Sequence, residues 1–200
     1  MLSLLRVPMS GTDLIRLFED TIQHFWKTDL SQIYRALEAL EGDGCVRASS
    51  VPSARGPARK VYRLTAKGRR RLAAWISEPP RVPPAKFEYL AQLFSVTASD
   101  EPRKKARELL VSLRDEAAKS VAVLEAIDAT LKRMPGYPDE MPSSVFYPWL
   151  TLRHGLHRRR GFLRWIDECL DRLERRSRAV DGRVGSEPMS ELLDMLGENR

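Results

Sequence analysis

The chain has 200 residues, of which 42% are hydrophobic, and a formal net charge of +7, so it can bury the core of one large domain or two small ones. The N-terminal apolar run is too short for a signal peptide, no run could span a membrane, and two cysteines do not make a disulfide framework, which together predict a cytoplasmic protein without a membrane partner. Residues 1–80 carry 13 basic and 8 acidic side chains, an excess that favours a polyanionic partner.

The first two predicted elements are helices. Residues 2–7 are expected to form a short helix that Pro8 ends, because proline cannot continue a helical hydrogen-bond ladder. Ser10 and Asp13 suit the start of a second helix, in which apolar residues recur from Leu14 to Phe25 at helical spacing.

A third helix is predicted from the sequence DLSQIYRALEALEGDG at residues 29–44. Asp29 is a suitable N-cap, and Gln32 lies three residues on, where a capping box would place it. Gly42 and Gly44 end the helix. Its apolar stripe contains Leu30, Ile33, Leu37 and Leu40, and the opposite face carries Ser31, Gln32, Arg35 and Glu38.

The sequence then changes to the two-residue period of β-strands. Residues 45–51 and 60–64 are predicted strands, joined by the loop PSARGPAR at 52–59, which contains Arg55 and Arg59. Thr65 is predicted to cap a further helix that Pro79 and Pro80 terminate. Three helices followed by a β-hairpin indicate a winged helix-turn-helix, although a small α+β domain without that function has the same elements.

The second half is predicted to be helical. The proline-rich residues 79–84 form a hinge, and helices follow at about 87–94, 102–134 and 144–178. The apolar stripes of the two long helices each need a partner helix to cover them. Residues 179–200 are expected to be a tail that is loosely ordered or packed on a partner.

The motifs of catalytic chemistry are missing from this sequence. It contains no GxSxG, CxxC or HExxH pattern and no glycine-rich phosphate loop. His154 and His157 could point the same way on one helix, but a metal site needs a third ligand, and the neighbouring arginines would repel a cation. We therefore expect no enzyme, no metal site and no cofactor.

Two runs of the first half, SQIYRALEALEGDGCV and RKVYRLTAKGRRRLAAWISEP, resemble the winged helix of the PadR family of bacterial transcriptional regulators. The shared pattern comprises Tyr34, the Leu-Glu-x-(Asp/Glu)-Gly turn at residues 40–44, a basic wing, and Tyr-x-Leu-Thr-x-x-Gly at residues 62–68. The second half is similar to the virulence-activator-like C-terminal domain of the family's long subgroup. Where the family often has Tyr-Asp-Leu in the second helix, this chain has Thr12-Asp13-Leu14.

The resemblance implies a mainly α fold with a small β-hairpin. Residues 1–80 would be the winged helix-turn-helix DNA-binding domain, and residues 85–178 an α-helical dimerisation domain. It further implies a homodimeric transcriptional regulator, and we expect a ligand-responsive repressor that binds double-stranded DNA at a palindromic operator. The competing interpretation is a protein-interaction module on a winged-helix scaffold that no longer binds DNA.

The residues expected to contact DNA lie at the start of the third helix and in the wing. Arg35 is the best candidate for a base or phosphate contact, and the cations of the wing would hold the DNA backbone. No effector site is assigned, because aromatic residues such as Phe94 and Trp165 are better explained as dimer core than as a pocket for a small-molecule effector. The complete DNA-contacting set is Lys27, Ser31, Gln32, Tyr34, Arg35, Arg55, Arg59 and Lys60.

Overall fold

The computed structural model describes residues 1–26, 28–53, 56–82 and 84–180. The chain forms two compact units, one of Met1–Ala85 with Asp128–Gly155, and one of Lys86–Ile127 with the residues from Leu156 onward. The first unit thus also includes residues 128–155, which the sequence analysis placed in the helical region. The predicted tail of residues 179–200 lies outside the described residues from position 181.

The elements follow the predicted order of helices and hairpin. In the first half they are β1 (Met9–Ser10), α1 (Gly11–Thr21), α2 (Leu30–Gly42), β2 (Val46–Ser53), β3 (Gly56–Leu64) and α3 (Ala66–Ile76). In the second half they are α4 (Glu88–Ser95), α5 (Pro102–Leu131) and α6 (Ser143–Val180), with one 3₁₀ turn at Val96–Ala98. The predicted fold class, mainly α with a small β-hairpin, is confirmed. Within the described ranges, no helix is both long enough and apolar enough to cross a bilayer.

The predicted helix at residues 2–7 is wrong. The segment forms turns, with Leu4 N donating to Met1 O at 3.0 Å and Leu5 N donating to Leu2 O at 3.2 Å. Six residues cannot offset the cost of nucleating a helix in front of a proline. Instead the chain passes into β1, which the sequence analysis did not predict.

The sheet is antiparallel, with the strand order β1-β3-β2. Val46 lies opposite Leu64 and Ala48 opposite Tyr62, and the buried side chains of Val46 and Tyr62 place this face against the helices. Both strands are longer than predicted, so Arg59 belongs to β3, opposite Val51, rather than to the loop.

Each unit has its own apolar cluster. In the first, α1, α2 and the sheet bury Leu5, Leu14, Phe18, Ile33, Leu37, Val46 and Tyr62. In the second, Leu110 and Ala117 of α5 pack against Ile166 of α6. The second cluster is bordered by the exposed ion pair of Arg114 Nε with Asp167 Oδ1, at 2.6 Å.

Candidate nucleic-acid interface

The start of α2 is organised by its N-cap, as the sequence predicted. Asp29 Oδ1 accepts hydrogen bonds from Gln32 N at 2.7 Å and from the Ser31 hydroxyl at 2.6 Å. The Ser31 hydroxyl is the main cause of a lowered pKa at Asp29, followed by the Gln32 amide. The reciprocal half of the capping box does not form, because the Gln32 side chain instead accepts from the Thr28 hydroxyl at 2.6 Å.

Arg35 is held against the turn that precedes it. Its Nε donates to Ser31 O at 3.3 Å and its Nη2 donates to Ser31 Oγ at 3.2 Å. Since Ser31 is bonded to Asp29, one chain of hydrogen bonds runs from the cap to the guanidinium on the exposed face. Such pre-organisation reduces the side-chain entropy that a new contact would cost.

The apolar stripe of α2 is narrower than predicted. Ile33 and Leu37 are buried, but Leu30 is 52% exposed, because as the first helical residue it extends past the core. Tyr34 is 42% exposed and lies against the start of α1, where a Cβ added at Gly11 would be 2.9 Å from Tyr34 Cε1. The two helices therefore meet closely at this point.

The C-terminal end of α2 is packed against the hairpin and the start of α3. Gly44 has a φ of +67°, a conformation that glycine adopts without strain. The Thr65 hydroxyl donates to Gly44 O at 2.8 Å and accepts from Gly68 N at 3.1 Å, which confirms the predicted cap of α3. A Cβ on Gly68 would lie 2.1 Å from Cys45 O, so the Thr-x-x-Gly pattern reflects close packing of α3 on the turn after α2.

The wing is joined to α2 by an ion pair. Lys60 Nζ lies 2.9 Å from Glu41 Oε2, and Glu41 Oε1 accepts from Ala48 N at 3.3 Å. The hydrogen bond between Lys60 and Glu41 is the main cause of a raised pKa at Lys60 and a lowered pKa at Glu41. Both side chains are substantially exposed, so the pair positions the hairpin more than it stabilises the fold.

A cleft of about 270 Å³ lies where α1, α2 and β3 meet. It brings together Tyr34, Arg59 and Lys60 from the predicted set, whereas Ser31, Gln32 and Arg35 lie on the exposed polar face of α2. Lys27 and Arg55 lie outside the described residues. The cleft is lined by Ser10, Gly11, Thr12, Asp13, Arg16, Tyr34, Arg59, Lys60 and Tyr62.

Two cleft residues, Thr12 and Arg16, were missed by the sequence analysis. Both belong to α1, for which no DNA contact was predicted. The exposed residues of α1 that face α2 could have been found by pairing the two helices of a helix-turn-helix. Among the described residues, no group of three or more His, Cys, Asp or Glu side chains could hold a metal ion.

These features define a winged helix-turn-helix DNA-binding domain combined with a C-terminal helical region. Residues 1–74 match the transcriptional regulator PadR-like family, and residues 86–174 match the virulence activator alpha C-terminal domain. The chain therefore has a PadR-like transcriptional regulator domain followed by a virulence activator alpha C-terminal domain. Its relatives are regulators and not enzymes.

Three similar proteins illustrate the match. A probable transcriptional regulator of Mycobacterium tuberculosis, Rv1176c, is 29% identical over 87% of this chain and 95% of its own length. The structure of Bacillus subtilis PadR in complex with operator DNA has a TM-score of 0.73 at 24% identity, covering 86% of this chain and 96% of that one. The Vibrio cholerae virulence activator AphA has a TM-score of 0.68 at 28% identity, with 86% and 95% covered.

Proposed function

We propose that this protein is a homodimeric, ligand-responsive transcriptional repressor that binds a palindromic operator. The observation that carries the proposal is the exposed first turn of α2, where Ser31, Gln32 and Arg35 are held in place by the Asp29 cap. Serine, glutamine and arginine side chains at the start of a recognition helix have the hydrogen-bonding groups that read base edges in the major groove. A protein acting on chromosomal DNA would be cytoplasmic.

The wing supplies the second part of the interface. Arg59 is exposed on β3, and Lys60 beside it is attached to the end of α2 through Glu41. In this proposal both cations contact the DNA backbone and Tyr34 sits at the edge of the groove. Lys27 and Arg55, the remaining cations of the predicted set, would contribute to the same backbone contacts.

Repression and ligand response are supported by one relative of known function. PadR of Bacillus subtilis, 24% identical over 84% of this chain, is described as a negative transcriptional regulator, and it has been solved in complex with p-coumaric acid. A ligand would act on this chain by favouring a dimer in which the two recognition helices have the wrong spacing. We assign no residues to the ligand site.

Dimerisation through residues 85–178 is supported by exposed apolar side chains of the helical unit. Phe94 is 78% exposed and Val123 is 60% exposed, and Leu90 is also exposed. Apolar side chains of this size gain free energy when a partner covers them. A two-fold dimer would present two copies of α2 about one DNA turn apart, or a multiple of it, which is the reason for expecting a palindromic operator.

The test is footprinting of the purified protein on the DNA upstream of its own gene, with affinity measured over a range of salt concentrations. The proposal predicts a protected two-fold-symmetric site and an affinity that falls steeply with salt. A variant in which Ser31, Gln32 and Arg35 are all alanine should lose the protected site. Unchanged operator affinity in that variant would overturn the assignment of these three residues, whereas weak binding that does not depend on salt would favour the protein-interaction interpretation.

A further inference from the structure

The cleft between α1, α2 and β3 contains two arginines whose charges are not matched by carboxylates. Arg16 on α1 and Arg59 on β3 are both exposed, and none of the ion pairs among the described residues includes either of them. The cleft has one carboxylate, Asp13, and its third cation, Lys60, is paired with Glu41 outside the lining. The lining therefore has a net positive charge.

Asp13 carries one negative charge and offsets only one of the two guanidinium charges. Asp13 Oδ2 accepts from the Ser10 hydroxyl at 2.6 Å, and this hydrogen bond is the main cause of its lowered pKa. The charges of Arg59 and Arg16 also lower the pKa of Asp13, though less than the Ser10 hydrogen bond does. An anion in the cleft would experience the field of both arginines.

The cleft also has neutral groups that suit a phosphate oxygen. Thr12 contributes an exposed hydroxyl group. Gly11 lines the cleft next to the Tyr34 ring, and its lack of a side chain leaves room for that ring. A Cβ at position 11 would lie 2.9 Å from Tyr34 Cε1 and would displace it. Arginine pairs with hydroxyl groups beside them are the usual ligands of phosphodiester oxygens on DNA.

We propose that the cleft binds a phosphate of the DNA backbone through Arg16 and Arg59, and that this contact sets the register of α2 on the groove. The inference rests on the proposed function, because it requires DNA to lie against α2. Tyr34 is the physical link, since its ring borders the cleft while the next residue, Arg35, lies on the polar face of α2. Arg16 is thus a positioning residue that acts on all DNA sequences alike.

The experiment measures binding to a short double-stranded DNA of mixed sequence, and to the DNA upstream of the gene, over about 50 to 200 mM salt. In Arg16→Gln, the negative slope of log affinity against log salt should become shallower by about 0.9, as expected for the loss of one phosphate contact. Affinity should fall several-fold on both DNAs, with the ratio between them unchanged. The matched control is Arg103→Gln, which removes the same charge from an exposed position on α5.

A variant of opposite sign completes the test. Asp13→Asn removes the carboxylate from the cleft and keeps a polar side chain beside Ser10, so affinity for both DNAs should rise. Equal salt slopes for Arg16→Gln and Arg103→Gln would overturn the inference while leaving the proposed function intact. If the unchanged protein shows no salt-dependent binding to either DNA, the proposed function fails and this inference fails with it.

Discussion

The two ends of α2 differ in what surrounds them. At the C-terminal end, Gly44, Cys45, Thr65 and Gly68 are joined through backbone groups of the turn, the hairpin and α3. At the N-terminal end, the side-chain hydrogen bonds of Ser31, Gln32 and Arg35 all stay within residues 28–35. The C-terminal end of α2 therefore holds the domain together, whereas its N-terminal end is available to a partner.

The largest expected effect is at the enclosed end. Gly68→Ala should destabilise the protein by about 3 kcal/mol, because the added methyl group overlaps Cys45 O and must push α3 away from the turn. The measurement is the midpoint of denaturant unfolding.

Gly42→Ala is the matched control for that substitution. Gly42 is the last residue of α2, and a Cβ there would meet nothing within 4 Å. We expect this variant to be unchanged or stabilised by about 0.5 kcal/mol. Equal destabilisation of both variants would contradict the overlap with Cys45 O as the cause, because helix propensity favours alanine over glycine at both positions.

At the open end, Arg35→Ala should weaken operator binding by roughly 1–3 kcal/mol if the guanidinium reads a guanine, with no loss of folding stability. Arg59→Ala is the comparison, because a wing cation should contribute equally to all DNA sequences. The measurement is the ratio of operator affinity to affinity for unrelated DNA. A ratio that Arg35→Ala leaves unchanged would show that Arg35 makes no base contact.

A smaller effect is expected where the wing meets α2. Glu41→Gln removes the partner of Lys60 and weakens the acceptor of Ala48 N, so amide hydrogen exchange in β2 should accelerate. Glu38→Gln changes the same charge at an exposed position of α2 and should leave that exchange unaltered. If both variants exchange alike, the ion pair does not restrain the hairpin.

The smallest expected effect is a pH dependence at the N-cap. The pKa of Asp29 is lowered in the folded protein by the Ser31 hydroxyl and the Gln32 amide, so its stabilising contribution is complete above the unfolded pKa. The contribution is lost as pH falls through the folded pKa. Acidification should therefore lower the protection of the Gln32 amide against hydrogen exchange, relative to its intrinsic exchange rate at each pH, and Asp29→Asn should remove most of that pH dependence.

Features that depend only on neighbouring residues, such as helix starts and ends, were predicted correctly from the sequence. Ser10, Asp29 and Thr65 were each identified as starting a helix, because an N-cap depends on residues two or three positions away. Gly44 was identified for the same reason, since its positive φ belongs to the helix end. The general fold followed from these boundaries together with the change from helical to strand periodicity.

What the sequence did not show depends on contacts between distant residues. The segment at 2–7 has helical spacing but leads into an edge strand that pairs with β3. Leu30 fits the apolar stripe but extends beyond the neighbouring core. Arg16 carried no local signal, because its place in the cleft depends on how α1 meets β3.

The self-contained hydrogen bonding at the start of α2 has an evolutionary consequence. Because the side-chain hydrogen bonds of Ser31, Gln32 and Arg35 to other described residues stay within residues 28–35, substitutions there cost the fold little. Under the proposed function, duplicated copies of such a gene could exchange these side chains and acquire new operators without first gaining stability. Gly68 has no such freedom, so the scaffold would remain constant while its DNA targets diverge.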